Sequence, residues 1–170
     1  MLAVVALIGV GLPLVDKSLP AARTLTQGLP FGVGGKVSVV PPSGASVDVT
    51  GTRPGADRGT ALFLLDAVRV VVVVSPYRGT LIAADTRLHA KIAKSSGFQV
   101  IGNGQPVRTA QGITGLRGGY SSPGRLGEYA VFVADTLSVE VTASGPEADL
   151  RAVTPALLAS LMSVAFGAAG

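Results

Sequence analysis

An α+β fold, in which two helices cover an antiparallel sheet, is what the sequence predicts. Two segments, 80–95 and 155–165, carry apolar residues at helical spacing. The remainder reads as short β-branched or alternating runs joined by Gly- and Pro-rich turns, which favours antiparallel pairing. Helices separated by a run of strands pack on the sheet rather than on each other. At 48% hydrophobic and 14% charged residues, the 170-residue chain is far from the composition of a disordered segment.

The elements follow in order. Residues 1–15 (MLAVVALIGVGLPLV) contain no charged side chain, and Asp16 is the first ionisable one. As a helix they would reach roughly 22 Å, short of a hydrocarbon core of roughly 30 Å. A secretory signal wants a basic start and a small-x-small cleavage site, and neither is clean here. The expectation is a membrane anchor or uncleaved signal over 1–15, entering as an N-terminal hydrophobic helix. Lys17 and Arg23 after the run place the domain in the cytoplasm if the positive-inside rule is applied literally. A basic stretch upstream of Met1 reverses that order, and a single-pass protein of the cell membrane with an extracytoplasmic domain is the orientation adopted. Residues 16–36 hold Pro20, Pro30 and four glycines, and read as a linker. The folded domain is expected over 37–166.

Within it, Val37–Val40 and Ser46–Thr50 read as strands around a Pro41-Pro42-Ser43-Gly44 turn. Residues 51–59 form a loop. Leu62–Ser75 reads as one long strand whose Val70–Val74 run suits a central position covered on both faces. Pro76 ends it. In the helix over 80–95, Leu81, Ala84, Leu88 and Ile92 share a face, and Gly97 signals its C-terminus. Strands follow at Phe98–Ile101, 108–120 (interrupted at Gly112), Glu128–Val133 and Leu137–Ala143. Pro155, suited to a first helical turn, opens the last helix, with Leu157, Leu158, Leu161 and Val164 facing inward.

The sequence excludes much chemistry. With no Cys there are no disulfides, thiolate zinc sites or cysteine nucleophiles, and a single His, His89, removes multi-histidine metal centres. Gly32-Val33-Gly34-Gly35-Lys36 ends like a phosphate loop, but Val37 stands where Ser or Thr must follow, and Pro30 where the first glycine belongs. Gly102-Asn103-Gly104 lacks the third glycine of a dinucleotide fingerprint, Val107 standing there. Asp85 and His89 are neighbours on one helix, yet no serine sits in a nucleophile elbow, and a satisfied surface or core-edge pair is the better reading. Glu147 and Asp149 beside Pro146 introduce the last helix. Neither catalytic residues, cofactor nor metal site is expected.

Charge is uneven. Residues 53–125 carry ten cations against Asp57, Asp66 and Asp85, while 126–170 carry five carboxylates against Arg151 alone. Arg87, Lys91 and Lys94 form a stripe at i, i+4, i+7 on the first helix, either an ordinary solvated face or a polar contact surface for a protein or anionic headgroups. With only five Phe and three Tyr, the basic region lacks the interleaved aromatics of nucleic-acid binders, so no nucleic-acid partner is expected.

Gly97-Phe98-Gln99-Val100, Pro106-Val107, Thr109-Ala110-Gln111-Gly112-Ile113-Thr114-Gly115-Leu116-Arg117, Tyr129–Val133, Leu137–Ala143 and Pro155–Leu161 together resemble, as an ordered pattern over about 37–166, the PsbP-like family, which includes the LpqN-type envelope lipoproteins of actinobacteria. The resemblance implies an α-β-α sandwich around an antiparallel sheet, acting as a binding or assembly module of membrane machinery without shared catalytic residues. The chain departs from the pattern in having no lipidated cysteine, so any anchor must be 1–15. The expected function is a non-enzymatic, membrane-tethered accessory or interaction domain of a bacterial cell-envelope complex, with a protein complex as partner. The alternative is a carrier for a hydrophobic ligand or lipid, which requires an apolar cavity of about 300 Å³ or more.

Overall fold

The computed structural model describes residues 22–95 and 97–167. The expected anchor over 1–15 and the start of the linker lie outside them. The strands are β1 (Ala22–Thr24), β2 (Phe31–Gly34), β3 (Val37–Val39), β4 (Ser46–Asp48), β5 (Gly59–Leu65) and β6 (Val68–Pro76), followed by β7 (Gln99–Arg108), β8 (Thr114–Ser122), β9 (Arg125–Ala134) and β10 (Leu137–Pro146). Helix α1 (Leu81–Lys94) separates β6 from β7, and α2 (Glu147–Met162) follows β10. Eight strands form one sheet in the order β1-β4-β5-β6-β10-β9-β8-β7, and β2 and β3 make a separate hairpin. Every pairing between these strands is antiparallel.

Antiparallel partners point to the same side, so the register sorts side chains between two faces. One face carries Phe63, Val70, Val72, Val74, Phe132, Val139 and Val141, all buried against Leu150, Leu157 and Leu161 of α2 and against Val33, Val37 and Val39 of the β2–β3 hairpin. The opposite face carries Tyr120, Tyr129 and Val131, which α1 covers with Ala84, Leu88 and Ile92. Fold class and sandwich are as expected, with a hairpin added to the α2 layer.

Several local expectations are corrected. The linker expected over 16–36 contains β1 and β2, and Val33 is fully buried. Its glycines serve a tight turn instead: Gly35 and Lys36 both have positive φ between β2 and β3, as two-residue hairpins require. The single strand expected over 62–75 is a hairpin turning at Asp66-Ala67, with Asp66 at φ 52°. Apolar residues on both sides of that turn masked it. Gly102-Asn103-Gly104 lies inside β7 as a bulge, where the register with β8 shifts between Ile101 and Gln105. The last helix starts at Glu147, not Pro155, so Glu147 and Asp149 occupy its first turn and Pro155 sits within it on the exposed side. The acidic first turn suits the helix dipole.

Candidate functional site

Helix α1 is positioned by its ends and its apolar stripe. The Thr80 hydroxyl accepts from the Ala83 N–H at 3.1 Å as N-cap, and Lys91 and Lys94 lie in the last turn, where cations oppose the negative end of the dipole. Ala84, Leu88 and Ile92 seat the helix on β7, β8 and β9.

The three basic residues have different settings. The Arg87 guanidinium lies 5.2 Å from the centroid of Tyr77, a cation–π distance. Lys91 reaches across to β10 and donates to both carboxylate oxygens of Glu140, at 2.8 and 2.6 Å. Glu140 is 7% exposed, and the side chain of Lys91 is half in water. Lys94 is exposed at the helix end. The stripe therefore borders the sheet along β10 and the end of β6, with one member committed to neutralising a buried carboxylate. Sequence reasoning missed Glu140, because an acid within an alternating strand carries no sign of its burial.

On the other flank of α1, Asp85 and His89 meet Tyr129 of β9. The His89 Nε2 is 2.5 Å from the Tyr129 hydroxyl and 3.3 Å from Asp85 Oδ1, and the two rings are edge-on at 4.9 Å. Two glycines make room: a Cβ on Gly118 would stand 2.5 Å from the Tyr129 hydroxyl, and one on Gly104 would stand 3.4 Å from it. Burial, with the Asp85 charge adding to it, pushes the Tyr129 phenol up to about 12. Helix α1 covers this phenol, whose hydroxyl faces His89. The oxygen that His89 meets is this phenol, not a serine. No group of three His, Asp or Glu side chains able to hold a metal occurs among the described residues.

The space under α2 is tightly packed. Between the sheet and α2, where Val70, Ala130, Val141, Leu157 and Leu161 converge, the cavity measures about 10 Å³. Two larger hollows open at the surface. One, of about 420 Å³, runs beside α2 over Gln105, Val107 and Leu158, where Arg117 donates to Glu128 at 2.9 Å and the Thr154 hydroxyl donates to the other Glu128 oxygen at 3.2 Å. The other, of about 410 Å³, lies among turns at Lys36, Asp57 and Asp135. No described helix is long and apolar enough to cross a membrane.

This arrangement, a broad antiparallel sheet with one helix on each face, is the PsbP-like fold. Among solved structures, the cyanobacterial PsbP (CyanoP) of Synechocystis sp. PCC 6803 is similar at 16% identity, over 84% of this chain and 98% of that one, with a TM-score of 0.55. LpqN, involved in cell envelope biogenesis of Mycobacterium tuberculosis, is similar at 13% identity, over 80% of this chain and 89% of that one, with a TM-score of 0.56. No protein-family model and no curated protein matches the sequence, so the likeness is one of fold.

Proposed function

We propose that the chain is a non-enzymatic accessory domain of a bacterial cell-envelope complex, tethered by residues 1–15 on the extracytoplasmic side, that works by presenting its surface to a partner protein. The observation that carries this reading is the tight packing between the sheet and α2. A cavity of about 10 Å³ has room for one water, whereas small-molecule sites run to about 300 Å³ or more. On this reading recognition falls to the outside of the molecule. There the proposed contact surface is the α1 stripe of Arg87, Lys91 and Lys94. Similarity in fold to LpqN supports an envelope setting. A tether would assist by raising the effective concentration of a partner in the same membrane.

The carrier reading has less support. The hollow beside α2 is large enough, but it is open to solvent and floored by the Arg117–Glu128 ion pair rather than by an enclosed apolar wall. Two measurements test the proposal. Deleting residues 1–15 moves the protein from the membrane to the soluble fraction, and its persistence in membranes would contradict the tether. Solvent extraction of purified protein yields no stoichiometric lipid, and recovery of one lipid per chain would favour the carrier.

A further inference from the structure

The two ends of the sheet differ in what they expose. At one end Gly59 pairs with Val74, Pro76 and Ala134 both pair with Leu137, and Thr114 pairs with Arg108. Several turns gather there. The Gly35 N–H donates to the Ala56 carbonyl at 2.9 Å, and the Tyr77 N–H donates to the Thr136 carbonyl at 2.8 Å. Helix α1 starts beside them, where the Tyr77 hydroxyl donates to the carbonyl of its N-cap, Thr80, at 3.0 Å. Helix α2 finishes at the same end, the Ala110 N–H of the β7–β8 loop donating to the Met162 carbonyl at 2.8 Å. On this end Lys36, Arg53, Arg58, Arg78 and Arg108 are exposed, against the carboxylates of Asp57 and Asp135. None of these cations is in an ion pair with a described residue. Ile82 in the first turn of α1 and Met162 in the last turn of α2, 67% and 46% exposed, add an apolar side chain on each side of the sheet.

The far end, around the Asp66-Ala67 turn and the start of α2, is more balanced. There Arg69, Lys94, Arg125 and Arg151 stand against Asp66, Glu147 and Asp149, and Arg151 is paired with Glu147. Strand β1 ties the basic end to the proposed tether. Ala22 lies opposite Asp48 and Thr24 opposite Ser46, whose partner on β5 is Leu64, so the chain enters the described fold from the side of the 51–59 loop. Residues 16–21 span at most about 20 Å, which keeps the domain close to a membrane that holds residues 1–15. We infer that this end is a membrane-facing surface, its cations meeting anionic lipid headgroups and Ile82 and Met162 forming its apolar rim. Cations beside exposed apolar side chains are the combination that an anionic bilayer surface attracts. That attraction acts only within a Debye length, about 8 Å at physiological salt, and the short tether holds the surface within reach of it. Lys91 and Lys94, toward the other end of α1, are then turned away from the bilayer and open to a partner. The inference rests on the tether and adds how the domain stands on its membrane.

The chain has no cysteine, so a single introduced one labels specifically. Ala110→Cys at the basic end and Ala67→Cys at the far turn, both at exposed positions, each carry an environment-sensitive fluorophore in the full chain. The labelled proteins are reconstituted into vesicles of phosphatidylcholine and phosphatidylglycerol containing a lipid with a quencher on its headgroup. Circular dichroism verifies that every variant folds, and flotation measures its association with the vesicles. The expected result is quenching at position 110 about threefold stronger than at position 67, with the difference lost in phosphatidylcholine alone. Arg58→Glu with Arg78→Glu should reduce the difference by about half or more while the chain still floats with the vesicles. Equal quenching at the two positions, or stronger quenching at 67, in a chain that floats would overturn this inference and leave the tether standing. A difference that persists in phosphatidylcholine alone would overturn the recognition of anionic headgroups. A full chain that does not float with either vesicle would remove the tether and this inference with it.

Discussion

Replacing Lys91 with Met removes the cation that bonds Glu140 while keeping most of the apolar stem of the side chain. Glu140 is 7% exposed on β10, between Val73 of β6 and Val131 of β9, so its carboxylate would be left among valines. Breaking a fully buried pair costs about 3–5 kcal/mol, whereas an exposed pair is worth about 0–1. The side chain of Lys91 is 52% exposed and that of Glu140 9%, an intermediate case in which water reaches one partner. The expected loss is therefore about 2 kcal/mol, in line with hydrogen bonds to charged groups. In a domain of this size that corresponds to a fall in Tm of about 4–8 °C. Urea unfolding followed by circular dichroism measures it. The double variant Lys91→Met/Glu140→Val, which removes the buried charge as well, should recover to within about 1 kcal/mol of the native chain, since apolar replacement of a buried pair is often neutral. A Lys91→Met variant within about 0.5 kcal/mol of native would refute the reasoning, because that is the range of an ordinary surface change.

Other predictions concern the Tyr129 site and the turns. Gly118→Ala drives a methyl group against the Tyr129 ring and should cost about 1–3 kcal/mol, whereas Gly119→Ala meets nothing nearer than 3.7 Å and should lie within about 0.5 kcal/mol of native; thermal melts compare them. In alkaline titration followed by phenolate absorbance, Tyr129 should ionise at about 12, and Tyr120, raised mainly by burial, above its ordinary value. The unfolded chain releases the Tyr129 proton near 10 and the folded one near 12, so stability is unaffected below about pH 10 and falls as pH rises between the two values. Thr136, at φ 61° in the Asp135-Thr136 turn between β9 and β10, is a β-branched residue in a conformation that favours glycine. Thr136→Gly should stabilise the fold by about 1 kcal/mol in the same unfolding assay.

The sheet was legible in the sequence because β10 alternates polar Ser138, Glu140 and Thr142 with Leu137, Val139, Val141 and Ala143, and because α1 keeps its apolar stripe, so fold class and order came through. Where both faces of a segment are apolar, periodicity is silent, and the Asp66-Ala67 turn vanished into one long strand. Pro155 misplaced the start of α2 because a proline on the exposed side of a helix looks locally like its first turn. Glycines were ambiguous: Gly102 and Gly104 mark a bulge inside β7, and Gly34 and Gly35 belong to a core hairpin rather than a linker. Of the candidate surface, Arg87, Lys91 and Lys94 were readable from spacing. Glu140 and Tyr129 were not, because each depends on which elements lie side by side, and that is decided by long-range contacts, β6 beside β10 and α1 over β9.

The proposed role as a tethered accessory domain is tested most directly by crosslinked affinity purification of the full chain from intact cells, with the 16–170 fragment as control. The account predicts specific recovery of one envelope protein complex by the full chain and much weaker recovery by the fragment. Recovery of a co-purifying lipid and no protein would contradict it.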